Sequence, residues 1–146
     1  MRILVLSLFL SLSAEAHVIS LIGPCDQMPI IEEELANKFA TVGELTIHFL
    51  SKNNIPYVGS ERGLSSVYNT PVGKASLEVI SSSEMRSYGW CYFVDGIGPD
   101  VYPDELPLKA TSQKIEWVFG FAHYKNGVWI SQCTPAHKIK PAFLCR

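Results

Sequence analysis

The sequence predicts an α+β domain in which one main helix packs on a mostly antiparallel sheet. A short β-branched run at residues 17–22 ends at Gly23-Pro24, as a buried strand would. A capped helix starts at Thr41, and a turn at Asp95-Gly96 and a hairpin turn at Asn126-Gly127 stand among aromatic strands in the C-terminal half. Strand, helix and further strands follow one another without an internal repeat, which favours one sheet crossed by one helix.

The N-terminus has the pattern of a cleavable secretory signal peptide. Arg2 supplies a positive charge, residues 3–12 are apolar, and Ala14-Glu15-Ala16 has the small-x-small pattern of a cleavage site. The apolar segment of about ten residues is much shorter than the roughly 20 that a membrane-spanning helix needs. We therefore predict a signal peptide at residues 1–16 and a single secreted or periplasmic domain at residues 17–146.

The first strand is predicted at residues 17–22, because β-branched residues are concentrated there. Residues 30–39 allow two interpretations. Ile31, Leu35 and Phe39 recur at helical spacing, whereas the prolines before them also allow an edge strand. The sequence alone leaves both open.

The main helix has a clear start. Thr41-Val42-Gly43-Glu44 forms a capping box, in which the hydroxyl and the carboxylate accept hydrogen bonds from free backbone N–H groups. One face is apolar, with residues at positions i, i+3, i+7 and i+8: Val42, Leu45, Phe49 and Leu50. We expect this face to lie on the sheet, and we expect the helix to end at Asn53-Asn54 and Pro56.

The C-terminal half is predicted to be strands separated by loops. Residues 57–73 are rich in Gly, Ser and Asn, which indicates a long connection. Strands are predicted at residues 77–80, 90–94, 115–121 and 128–130. A second loop, containing Pro99, Pro103 and Pro107, separates the middle two.

The composition limits the classes of protein to which the chain can belong. The chain has 146 residues, of which 47% are hydrophobic, so it has enough apolar surface for a core of its own. The net charge is −2 and the lysines are scattered, which gives no electrostatic basis for binding nucleic acid or anionic membranes. We expect neither a nucleic-acid partner nor a membrane span.

The chain has four cysteines: Cys25, Cys91, Cys133 and Cys145. An even number in a secreted chain predicts two disulfides, and three connectivities are possible. No pair has the short spacing of a zinc site. We expect the disulfides to tie the ends of the domain together and to hold the tail at residues 134–146.

Three segments, taken in order, resemble a known family. They are the helix from Thr41-Val42-Gly43-Glu44 to Asn54-Ile55-Pro56-Tyr57, the segment Gly89-Trp90-Cys91-Tyr92-Phe93-Val94-Asp95-Gly96, and the strand Lys114-Ile115-Glu116-Trp117-Val118-Phe119. Together they resemble the small C-terminal domain of transcobalamin and intrinsic factor, which also occurs as a domain of unknown function in bacterial secreted proteins. The resemblance covers roughly residues 17–124. It implies a β-grasp-like fold and a role in ligand binding, with a corrinoid-like molecule among the small ligands to consider.

Aromatic residues supply the candidate ligand-binding surface. They are Trp90, Tyr92, Trp117, Tyr124 and Trp129. Aromatic side chains with a polar group are favoured at ligand and protein interfaces, although the same residues also serve as ordinary core. Strand alternation predicts that Trp90, Tyr92 and Val94 share one face, with Cys91 and Phe93 on the other.

A different hypothesis concerns His17, which becomes the first residue after cleavage. Its amine and imidazole would together suit a copper ion, with His48, His123 or His137 as a third ligand. We find no serine elbow, paired carboxylates or Cys/His nucleophile that would indicate hydrolytic chemistry. We therefore predict a non-enzymatic binding domain without a cofactor, for a small ligand or an extracellular protein. A copper protein or a structural, adhesive module is the alternative.

Overall fold

The structure, a computed structural model, describes residues 15–145. Most of the predicted signal peptide, residues 1–14, lies outside them. The helix and strands are β1 (Ala16–Ile22), β2 (Pro29–Ala36), α1 (Val42–Lys52), β3 (Tyr57–Ser60), β4 (Gly63–Val67), β5 (Leu77–Ser81), β6 (Glu84–Val94), β7 (Lys114–Lys125) and β8 (Val128–Pro135). The mostly-sheet α+β class is confirmed, with α1 the one α-helix of the described chain.

The main sheet has six strands in the order β2-β1-β7-β6-β5, with β8 also paired to β7. The β1–β7 pair is parallel and the others are antiparallel. One edge of β7 is shared, because β1 pairs with its residues 114–118 and β8 with its residues 120–125. The other edge pairs with β6 along nearly its whole length.

The helix begins as the capping box predicts. The Thr41 hydroxyl accepts a hydrogen bond from the Glu44 N–H, but the Glu44 carboxylate accepts from the Ala40 N–H at 2.7 Å instead of from the cap residue itself. The predicted apolar stripe of α1 is fully buried against the sheet. We call the side of the sheet on which α1 packs the helix side and the opposite side the back face.

The open question about residues 30–39 is answered in favour of a strand. β2 is an edge strand paired with β1, and alternate residues point to opposite faces. Glu33 therefore lies on the helix side, where it pairs with Lys52 and accepts a hydrogen bond from Asn53 at 2.7 Å. The pKa of Glu33 is lowered, chiefly by the contact with Lys52 and then by the hydrogen bond from Asn53.

The prediction of a long connection at residues 57–73 is wrong, because β3 and β4 form a separate hairpin there. These strands are short, and their Gly and Ser residues suppress the local strand signal. The hairpin is held by tertiary packing, since Leu64 and Val67 are buried in the core. The predicted strands at residues 77–80, 90–94, 115–121 and 128–130 are all present and are longer than predicted.

Both disulfides form, as predicted. Cys25 bonds to Cys145, which ties the C-terminal tail to the loop after β1, and Cys91 on β6 bonds to Cys133 on β8. The second disulfide passes over the back face, because β7 lies between β6 and β8 in the sheet. Among the described residues, no helix has the length and apolar character of a membrane span.

Candidate ligand-binding cleft

The five aromatic residues predicted as a ligand surface divide between the two sides of the sheet. Tyr92 lies opposite Trp117 in the β6–β7 ladder, and both lie on the helix side together with Trp90. Tyr124 lies opposite Trp129 in the β7–β8 ladder, on the back face. The predicted split of β6 is confirmed, since Trp90 and Val94 are buried in the core while Cys91 reaches across the back face.

The aromatic stack on the helix side consists of two ring pairs. The ring centroids of Tyr92 and Trp117 are 5.5 Å apart, and Trp90 meets Phe119 edge-on at the same distance. The indole N–H of Trp117 donates to the Thr46 hydroxyl at 3.0 Å, and that of Trp90 donates to the Thr70 hydroxyl at 2.8 Å. The polar atoms of the two indoles are therefore already satisfied within the protein.

Tyr92 links this stack to the loop between β6 and β7. Its hydroxyl donates to the Val101 carbonyl at 2.5 Å. Burial raises the pKa of Tyr92, and the nearby carboxylates of Glu105 and Asp104 raise it further. The phenol thus stays protonated and holds the loop beside the sheet.

A cleft of about 460 Å³ opens between this stack, the β3–β4 hairpin and the turn that follows Val101. Its aromatic wall consists of Trp90, Tyr92, Trp117 and Tyr102; Arg62, Gly63 and Leu64 belong to its opposite side. We call this space the helix-side cleft. Its volume lies within the range of small-molecule sites.

The hairpin reaches this position because a glycine stands at the start of α1. A Cβ atom on Gly43 would collide with the Glu61 carbonyl and would come within 3.0 Å of the Asp104 N atom. The hairpin turn and the short helical turn Pro103–Glu105 can therefore both approach the helix N-terminus. Gly43 sets how closely the two sides of the helix-side cleft meet.

Arg62 stands at the mouth of the helix-side cleft. Its guanidinium carbon lies 3.8 Å from the centroid of the Tyr102 ring, a cation–π contact. Its Nη1 atom is 3.5 Å from Asp104 and 3.3 Å from Glu105, and about half of the side chain is exposed. The rim carries two carboxylates and one guanidinium, so an anionic ligand is not favoured there.

Sequence reasoning missed Arg62 and Tyr102. Both fall in segments predicted to be loops, and they come together only through tertiary packing. One signal was present: Gly59-Ser60-Glu61-Arg62-Gly63 has the composition of a turn between two short apolar segments.

The histidines do not come together as a metal site. His17 is fully buried, and its Nδ1 atom accepts a hydrogen bond from the Gln113 N–H at 3.2 Å. The His48 ring packs against Phe39 at a tilt, and His123 pairs with Glu84. Within residues 15–145, no group of three or more His, Cys, Asp or Glu side chains is arranged to hold a metal ion.

Comparison with known proteins gives little to place beside this geometry. No protein-family model matches the chain, and no curated protein matches it. The crystal structure of a candidate metal binding protein from Ruminococcus gnavus is similar, with 16% sequence identity and a TM-score of 0.45. That match covers 73% of this chain and 98% of the other.

Proposed function

We propose that this chain is a secreted, non-enzymatic binding domain with a β-grasp-like fold, and that it holds a small ligand in the helix-side cleft. One observation carries the proposal. Aromatic rings line a preformed cleft: Tyr102 is exposed, Tyr92 is partly buried, and Trp90 and Trp117 are buried with their indole N–H groups bound to protein atoms. Such a wall suits a planar, largely apolar partner.

The charge at the rim of the helix-side cleft limits the charge of the ligands that can bind there. Asp104 and Glu105 outnumber Arg62, which favours a neutral or cationic ligand. A ligand cation would also be attracted to the faces of tryptophan and tyrosine rings. The helix-side cleft has room for one ring system, so a corrinoid, which the family resemblance suggests, would enter only by an edge or by its base.

The two disulfides support an oxidising compartment, in keeping with the proposed signal peptide. The buried imidazole of His17 argues against the copper alternative, because its Nδ1 atom would have to give up the hydrogen bond from Gln113 to bind a metal.

Native mass spectrometry of the protein purified from its natural source tests the proposal. We expect a retained small molecule that is lost in an Arg62→Gln/Tyr102→Ala variant, since both residues are exposed at the rim and can be changed without disturbing the core. Trp129→Ala, on the back face, is the matched control and should retain the molecule. Equilibrium dialysis with cyanocobalamin then tests the corrinoid class directly. Equal retention by the rim variant and the wild type would contradict the helix-side cleft as the site.

A further inference from the structure

The back face carries a second cavity that the proposed function does not use. It has a volume of about 310 Å³ and lies between the middle of the β6–β7 ladder and the overlying β8. Its lining includes Ser87, Gly89, Cys91, Ala122, Trp129 and Gln132. We call this space the back-face groove. It faces away from α1 and shares with the helix-side cleft only Trp90, which is buried in the strand between them.

Two glycines lie directly opposite each other beneath the back-face groove, and only one is explained by packing. A Cβ atom on Gly120 would lie 2.9 Å from the Thr134 carbonyl oxygen and 3.3 Å from the Cys133 carbonyl carbon. Gly120 is therefore required for β8 to cross. Within the described residues 15–145, a Cβ atom on Gly89 would meet no atom within 4 Å, and Gly89 is not among the glycines with positive φ.

Gly89 thus lowers the stability of β6, and neither its backbone conformation nor its packing accounts for a glycine there. Glycine inside a strand destabilises the fold by about 0.5–1 kcal/mol relative to alanine. A strand glycine that no turn, bulge or packing contact requires marks a place where a ligand comes close to the backbone. The cavity over Gly89 provides the space for such an approach.

The wall of the back-face groove is held in place. The Cys91–Cys133 disulfide fixes β8 over the sheet, and Cys133 has a φ of 51°, which is rare for a residue with a side chain. Trp129 is 51% exposed, and its ring stands edge-on to Tyr124 with the centroids 5.3 Å apart. The indole is therefore oriented before any ligand arrives.

The lining indicates a neutral ligand with a flat apolar side and a polar edge. Among residues 15–145, no charged residue lines the back-face groove, and its polar lining includes the Ser87 hydroxyl and the Gln132 amide. An adjoining cavity of about 360 Å³ lies on the other side of the Cys91–Cys133 disulfide. There Phe93 and Pro99 supply apolar surface, and Asp100 supplies a carboxylate that can accept hydrogen bonds from hydroxyl groups. The two cavities share Trp90, Cys91, Gln132 and Cys133 in their linings, and a ligand that occupies both would pass over the Cys91–Cys133 disulfide.

We propose that the back face is a carbohydrate-binding site, in which a neutral pyranose ring stacks on Trp129 above Gly89 and a second ring lies beside Phe93. A pyranose has C–H groups on its faces and hydroxyl groups around its edge, which matches an indole wall, a flat glycine floor and polar side chains at the margin. This site is independent of the helix-side cleft.

Saturation-transfer NMR with cellobiose, maltose, lactose and N,N′-diacetylchitobiose as probes tests the proposal. We expect transfer from the wild type to the ring protons of at least one of them. Gly89→Val should fill the space above the strand and weaken that binding by about tenfold or more, equivalent to about 1.4 kcal/mol. Trp129→Ala should weaken it similarly through loss of the stacking surface.

Two controls make the result decisive. Gly89→Val should keep or raise the melting temperature, because valine favours a strand and restricts the unfolded chain, so weaker binding cannot be ascribed to unfolding. Tyr102→Ala, in the helix-side cleft, should bind the sugar like the wild type. The proposal is overturned by absence of transfer to all four neutral sugars, by undiminished binding in Gly89→Val, or by loss of binding in Tyr102→Ala.

Discussion

The two faces of the main sheet use the same strands in opposite ways. On the helix side, β6 and β7 present Tyr88, Trp90, Trp117 and Phe119, all of which are buried. On the back face the same two strands present Ser87, Gly89, Gly120 and Ala122, beneath a strand that is held by a disulfide. The helix side is a packed core, whereas the back face is crossed by a covalent link.

This difference shows why aromatic residues alone do not identify a binding surface in this fold. Trp117 is 2% exposed and Trp129 is 51% exposed, although both stand on strands that pair with one another. The buried tryptophan belongs to the aromatic wall of the helix-side cleft, and the exposed one forms a wall of the back-face groove. Each face therefore offers an aromatic surface of a different kind.

The largest expected effect on stability comes from replacing a tryptophan on one face, compared with the same replacement on the other. Trp117→Ala should lower the free energy of unfolding by about 3–5 kcal/mol, because it leaves a cavity in the core and removes the hydrogen bond to Thr46. Trp129→Ala should lower it by less than about 1 kcal/mol, because half of that side chain is already exposed. Urea denaturation of the two variants measures both values. Equal losses would show that the two faces do not differ in this way.

The next test removes the covalent link on the back face. Cys91→Ser/Cys133→Ser should lower the free energy of unfolding by about 2–4 kcal/mol, because the unfolded chain gains freedom. Hydrogen exchange should accelerate in β8, whose residues Val128, Trp129 and Ile130 are exposed and add little packing. Cys25→Ser/Cys145→Ser, which frees the tail instead, should leave exchange in β8 unchanged. Unchanged β8 exchange without the Cys91–Cys133 bond would mean that packing alone orders the back face.

The smallest expected effect concerns a polar network at the margin of the helix side. Tyr88 donates a hydrogen bond to Glu78 at 2.6 Å and Arg86 donates one at 3.0 Å. The Tyr88 hydrogen bond is the main reason that the pKa of Glu78 lies below its ordinary value of 4.5; burial opposes the shift, and the Arg86 contact adds to it. A carboxylate with a lowered pKa stabilises the fold above its ordinary pKa, and this contribution is lost as the pH falls through the folded value.

Glu78→Gln should therefore melt at a lower temperature than the wild type at neutral pH, and the difference should shrink on acidification below about pH 4. Thermal melts of both proteins across that range provide the measurement. Glu34→Gln, at an exposed position on the back face of β2, serves as the control and should show no such trend. If the difference in melting temperature between Glu78→Gln and the wild type stays constant with pH, the ionised Glu78 carboxylate does not stabilise the fold in this way.

Much of the fold can be predicted from the sequence because its signals are local. The Thr41 cap, the apolar stripe of α1 and the turns at Asp95-Gly96 and Asn126-Gly127 depend on residues close in sequence, and each is confirmed. The β3–β4 hairpin was missed because its stability comes from contacts with the core and with Gly43. The disulfide pairing was left open for the same reason, since it depends on which strands become neighbours.

The candidate site was predictable only in part. Five aromatic residues were identified, but which of them share a face depends on the register of β6, β7 and β8. Arg62 is separated by 43 residues from Glu105, its partner at the rim, so no spacing motif could have linked them. The glycine above which the back-face groove opens is recognisable only when its neighbours in space are known.

The shared edge of β7 has a consequence for how the chain folds. β1 cannot complete its parallel pairing until β7 has been made, and the contact between His17 and Gln113 spans 96 residues. Closing so long a loop is entropically costly and slow, and β1 and β8 must both reach the same strand. The sheet therefore assembles late, after most of the chain has been made, because its central strand β7 lies near the C-terminal end of the sequence.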